Sequence, residues 1–188
     1  MRLFIAINVD SALRAPLAAV QATLKSTATP VSWVKPENLH FTLKFLGEVP
    51  ESRLPALQET FRSSVAGIGR FILSLAGLGT FPPRGRPRVV WVGVEHGVDE
   101  MRTLQGRIDE TLLPLGFARE TRPLHPHLTL GRVRYVGRLD ALLTVLRVTE
   151  IGRVGQMHVR CVDLMRSALH PAGAVYTRVE SVPLSEEN

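Results

Sequence analysis

Short runs of Val, Ile, Leu and Phe, each bounded by Gly, Pro or polar residues, recur along the chain. They fall at 2–9, 39–47, 70–76, 88–95, 126–136, 157–168 and 174–182 and predict β-strands, with Trp33-Val34 adding a short strand before Pro36. Between them the apolar spacing changes to that of a helix. Asp10 or Ser11 caps a helix from 11 to about 26 with Leu13, Leu17, Val20 and Leu24 on one face, and Pro16 falls in its early turns. Further helices are predicted at 51–65 (Leu54, Leu57, Phe61, Val65), 98–113 (Met101, Leu104, Ile108, Leu112) and 138–147 (Leu139, Leu142, Leu146). Strands that are often adjacent in sequence, interrupted irregularly by helices, favour an α+β fold with largely antiparallel sheets over a doubly wound parallel one. No stretch is long enough to be a linker, so residues 1–188 are expected to form a single domain.

Composition changes this picture little. The chain is 45% hydrophobic, enough for a core and far from the composition of disorder. With Cys161 as its only cysteine an intramolecular disulfide is impossible, and a cytoplasmic location is the default expectation. The apolar N-terminal stretch is broken by Asn8 and Asp10 and reads as a strand rather than a signal peptide. No run of about 18 apolar residues suggests a membrane span.

Charge is more informative. The net charge is +6, and all but Lys25, Lys35 and Lys44 of the 23 basic residues are arginine, the side chain suited to forked contacts with phosphate. RNA is the obvious anionic partner, although charge spread evenly over a surface would select nothing. Pro82-Pro83-Arg84-Gly85-Arg86-Pro87-Arg88 reads as a loop, either plainly solvated or gripping a phosphate backbone with its three arginines.

One short pattern occurs twice. His40-Phe41-Thr42-Leu43 and His127-Leu128-Thr129-Leu130 share the form His-apolar-Thr-Leu, and each follows a proline-containing loop. On a strand, side chains alternate faces, so His40 and Thr42 point one way while Phe41 and Leu43 point the other, and the second copy sorts identically. Two such strands facing one another would line a cleft with two imidazoles and two hydroxyls. Phosphoester cleavage needs a base for the nucleophile and an acid for the leaving oxygen, and histidine titrates near enough to neutrality for both. The hydroxyls of Thr42 and Thr129 can donate to the non-bridging oxygens. Strict alternation puts Lys44 on the catalytic face and Arg132 on the opposite one. Arg132 reaches a phosphate only if the strand bulges, which Gly131 would permit.

The flanks resemble a known family. Phe4-Ile5-Ala6, Trp33 to His40, Leu43-Lys44-Phe45-Leu46-Gly47, Pro126 to Arg132 and Gly173-Ala174-Val175-Tyr176 are similar to segments of the two-histidine (2H) phosphoesterases, and within them to the bacterial and archaeal RNA 2′,3′-cyclic phosphodiesterases, also called 2′-5′ RNA ligases. The resemblance implies two pseudo-symmetric lobes with helices outside and an active cleft between them. It implies hydrolysis of a terminal 2′,3′-cyclic phosphate to a 2′-phosphate, with a reverse reaction that forms a 2′-5′ linkage. It further implies His40 as proton donor and His127 as proton acceptor, although a pseudo-symmetric site by itself permits either assignment. No cofactor or metal is expected, and a monomer is the default.

Two other readings compete with this one. His125, His127 and His40 could form a three-histidine zinc site, but the chain offers no evident acidic partners and the paired threonines would be idle. A silent RNA-binding module would keep the basic surface and lose affinity with salt, yet intact His and Thr in both motifs favour an enzyme. His96, His158 and His170 lack any repeated context and read as structural or surface residues. Cys161 reads as core.

Overall fold

A computed structural model describes residues 1–134, 139–149, 151–170 and 173–186. The strands are β1 (Arg2–Asn8), β2 (Val31–Trp33), β3 (His40–Glu48), β4 (Phe71–Phe81), β5 (Val89–His96), β6 (His127–Val133), β7 (Arg153–Val159), β8 (Cys161–His170) and β9 (Gly173–Pro183). The helices are α1 (Ser11–Lys25), α2 (Leu54–Val65), α3 (Val98–Leu112) and α4 (Asp140–Val148). The strands form two antiparallel sheets, one ordered β3-β1-β8-β9 and the other β2-β6-β5-β4-β7. This is the α+β, two-lobed architecture expected.

Several boundaries differ from the sequence reading, among them that of the strand expected at 70–76, which runs on to Phe81 as β4. The strand expected at 157–168 is really the end of β7 and most of β8, which belong to different sheets. The chain changes lobes at Arg160, and because both strands bury residues in one core, their apolar pattern runs on without a visible break. The helix expected from 51 begins with a 3-10 turn, Glu51–Arg53, before α2. The end of the strand expected to 136 and the start of the helix expected from 138 fall on residues outside those described.

The helices are exchanged between lobes. Helix α1 follows β1, yet it packs on the second sheet: Leu13 lies against Gly155 of β7, and the buried Gln21 donates from Nε2 to the carbonyls of Leu130 and Val34 at 2.9 and 2.8 Å. Its start is fixed by Asp10, whose carboxylate accepts from the amide of Ala12 as the expected cap. Helix α3 follows β5 but reaches the first sheet, where Asp109 accepts from Lys44 Nζ of β3 at 2.5 Å. One continuous core joins both lobes, from Ile5, Phe41 and Leu164 on the first sheet to Val90, Leu128 and Leu130 on the second. Among the described residues, no helix is long and apolar enough to cross a membrane.

Candidate active site

The two motif strands obey the alternation until the motif ends. Phe41, Leu43, Leu128 and Leu130 are buried, and His40, Thr42, His127 and Thr129 are half-buried on the opposite face. Then both strands slip by one residue. Ile5 pairs with Lys44 and Ala6 with Thr42, leaving Leu43 extra. Val90 pairs with Gly131 and Trp91 with Thr129, leaving Leu130 extra. Each is a β-bulge, which turns two successive side chains to one side of the strand. The inward positions after the bulges are Lys44 and Gly131, and the cleft positions are Phe45 and Arg132.

The expectation for Lys44 is thereby corrected. Lys44 is only 2% exposed and does not face the cleft; its ammonium donates to Asp109 and to the carbonyl of Ala118, stitching β3 to α3. Arg132 does line the cleft, by the bulge it required. Gly131 serves through its size, because a Cβ there would come within 2.5 Å of Val31 Cγ1 and 2.9 Å of Trp33 Cε3 on the neighbouring β2. Lys44 has room at the matching position because β3 is an edge strand.

A cavity of about 460 Å³ lies between the lobes and is lined by His40, Thr42, Phe45, His127, Thr129 and Arg132, with Phe4, Asn38 and Tyr176 on its first-lobe wall. The five side chains expected at the site thus share one cavity. Backbone carbonyls hold both imidazoles. His40 Nδ1 lies 2.7 Å from the carbonyl of Asn38, and His127 Nδ1 lies 2.8 Å from that of His125. A carbonyl only accepts, so each Nδ1 carries hydrogen, and the neutral ring keeps its lone pair on Nε2. Asn38 is itself fixed, donating from Nδ2 to the carbonyl of Ala174 at 3.1 Å.

Aromatic rings complete the two seats. His40 packs against Phe4 and edge-on to Tyr176, with centroids 5.0 and 5.2 Å away. His127 packs edge-on to Phe81 at 4.8 Å, with Trp91 at 6.2 Å. Burial pushes the pKa of both histidines below the ordinary 6.5, opposed in part by the accepting carbonyl; the positive Arg132 guanidinium pushes in the same direction as burial, as does His127 on His40 and His125 on His127. The cleft by itself therefore favours two neutral imidazoles beside the cationic Arg132, with Arg2 of β1 also on its wall.

His125 stacks beside His127 at 6.4 Å on the same Phe81–Trp91 pair. Among the described residues, no three His, Cys, Asp or Glu side chains converge to hold a metal ion. Cys161 is half-buried at the start of β8 rather than in the core. The flanking aromatics Phe45, Phe81 and Trp91 and the accepting carbonyls were not found as site groups from sequence. Carbonyls carry no residue signature, and the aromatics become informative only once the strand pairing is known.

Comparison with known proteins agrees with this duplicated geometry. The model of the family described as LigT like Phosphoesterase matches the chain twice in succession, over residues 7–91 and 92–176, one histidine motif in each. An RNA 2′,3′-cyclic phosphodiesterase of Methanothermobacter thermautotrophicus is 41% identical over 180 residues, covering 96% of this chain and 97% of that protein. One of Archaeoglobus fulgidus is 40% identical over 177 residues, covering 94% and 96%. The crystal structure of TT0787 of Thermus thermophilus superposes with a TM-score of 0.80 at 30% identity over all of both chains, and that of Escherichia coli LigT complexed with 3′-AMP with 0.78 at 25% identity over 98% of each. The chain belongs to the LigT-like phosphoesterase family.

Proposed function

We propose that this protein is an RNA 2′,3′-cyclic phosphodiesterase that opens a terminal cyclic phosphate to a 2′-phosphate and a free 3′-hydroxyl. Relatives named for that activity, similar over nearly the whole chain, support the substrate class. The observation that carries the mechanism is the matched pair of Nδ1–carbonyl contacts, which leave two Nε2 edges for one cavity that also holds Arg132.

In this reading, neutral His127 takes a proton from water at Nε2 as the water oxygen bonds to phosphorus. The bond from phosphorus to the 3′ oxygen breaks, and His40, protonated at Nε2, delivers its proton to that oxygen. Arg132, Thr42 and Thr129 hold the non-bridging oxygens, where negative charge must be stabilised. The anionic substrate supplies the missing counter-charge: a negative group beside His40 raises its pKa and lets it carry the proton. No step calls for a metal ion. A 5′-hydroxyl in place of water would give the 2′-5′ linkage by the same proton transfers.

The acid and base are told apart by the leaving group. On a cyclic phosphate whose 3′ bridging oxygen is replaced by sulfur, departure no longer needs an acid. His40→Ala should then recover most of its lost rate, and His127→Ala should recover none. Recovery by His127→Ala instead would reverse the roles. Activity in excess chelator is expected to be undiminished; loss there would return the histidines to metal binding.

A further inference from the structure

A second cavity, of about 500 Å³, lies on the outer side of the aromatic pair that seats His127. Gly79 and Trp91 belong to β4 and β5, Leu143 and Leu146 of α4 form an apolar wall, and Arg84 of the β4–β5 loop and Arg147 of α4 are among the remaining lining residues. The indole ring of Trp91 is shared, since it also packs toward His127 with centroids 6.2 Å apart. One aromatic ring therefore separates this groove from the catalytic imidazole.

Two observations point to a nucleotide as its occupant. The first is charge. The sequence has no Asp or Glu between Glu59 and Glu95, nor between Glu120 and Asp140, and among the described residues no carboxylate pairs with Arg84 or Arg147. Arg147 is steadied by its own helix, donating from Nε to the carbonyl of Leu143 at 3.2 Å, which leaves its terminal nitrogens for another acceptor. The second is shape. Gly79 has no side chain because Trp91 lies over it, and a Cβ there would come within 2.2 Å of the indole, so the pair of strands makes a flat floor. A flat apolar slot floored by an indole and flanked by two guanidiniums matches a base with its phosphate, the combination by which single strands are held.

We propose that this groove binds the nucleotide that precedes the cyclic-phosphate end, so that the preferred substrate is an RNA chain rather than a cyclic mononucleotide. The inference rests on the reading of the cleft given above and adds a subsite to it. Arg84 takes the phosphate from the β4–β5 loop and Arg147 takes it from α4, while Leu143 and Leu146 cover the base.

The test compares one chemistry on two substrates. Turnover of a nucleoside 2′,3′-cyclic monophosphate and of a four-nucleotide RNA with the same terminus is measured for wild type, for Arg84→Ala/Arg147→Ala and for the groove-filling Leu143→Trp. The tetranucleotide should lose roughly tenfold in kcat/KM in both variants, and the slope of log KM against log salt should flatten by about 0.7 in the arginine pair variant, the loss of one phosphate contact. The mononucleotide should be unaffected, which also shows that the variants fold. Equal losses on both substrates, or none on either, would overturn the proposal. If wild type turns over neither substrate, the cyclic-phosphate reading fails by itself. The groove is then tested by fluorescence anisotropy with a tetranucleotide ending in a 3′-hydroxyl: weaker binding by the arginine variant supports it, and unchanged binding sinks it.

Discussion

Three residues beyond each motif threonine the two halves part company. Phe45 stands in the first and Arg132 in the second, both turned into the cleft by the same one-residue slip. One residue earlier the contrast is inverted: the first half sends the long cation Lys44 inward to Asp109, and the second has Gly131 with no side chain at all. The motif strands thus keep matching imidazole seats while placing their cations oppositely, one buried against Asp109 and the other turned into the cleft. Arg2 of β1 adds an exposed cation to the first-lobe side of the cleft, so the contrast belongs to the two motif strands and not to the lobes as wholes. Symmetry is retained at the imidazole seats and abandoned at the residues just beyond them.

The strongest way to break the comparison is to remove one imidazole at a time. His40→Ala and His127→Ala should each lose about 10²–10⁴-fold in kcat; a variant that keeps most of its rate would show that its half is only a seat. Removing the unmatched pair comes next. Arg132→Ala should cost about 10²–10³-fold in kcat, the size of a lost oxyanion contact, whereas Phe45→Ala should change mainly KM, and by less. Equal effects would erase the asymmetry. Stability should follow the buried contrast. Lys44→Ala strands the Asp109 carboxylate and should cost about 3–5 kcal/mol in chemical denaturation, while Lys44→Met/Asp109→Leu should regain most of that. Gly131→Ala forces Val31 and Trp33 aside and should cost about 1–3 kcal/mol.

The smallest effect is with pH. Both histidines are held below their ordinary 6.5, so the unfolded chain binds more protons than the folded one in the window beneath that value. Well above 6.5 both rings are neutral in either state and nothing is lost; stability declines as pH falls through 6.5 toward the depressed folded values. The double variant His40→Gln/His127→Gln should show a shallower fall in Tm between neutral and mildly acidic pH. A saturating phosphate ligand should also shrink the fall in wild type, because an anion beside the rings favours their protonated form.

Alternation alone placed His40, Thr42, His127 and Thr129 on one face and their apolar partners in the core, because a half-buried strand leaves its period of two in the sequence. It failed at Lys44 because the count was carried straight through a bulge. The signal was present: Leu-Lys-Phe and Leu-Gly-Arg occupy matching places, and a slip admitted for Arg132 applies equally to the first copy. The exchange of helices between lobes was not legible. The apolar faces of α1 and α3 say that each is buried but not against which sheet, and Gln21 looks like any polar residue until its two carbonyl partners are known.

That exchange bears on how the molecule can move. With α1 lodged on the sheet opposite to the strand it follows, and α3 likewise, the connections at residues 8–11 and 96–98 act as crossed straps. Pulling the lobes apart would drag each helix from the far lobe's interior, so the cleft resists wide hinge opening. Exchange through a mouth of fixed width is expected to favour thin, flexible ends of RNA over ends locked in a duplex.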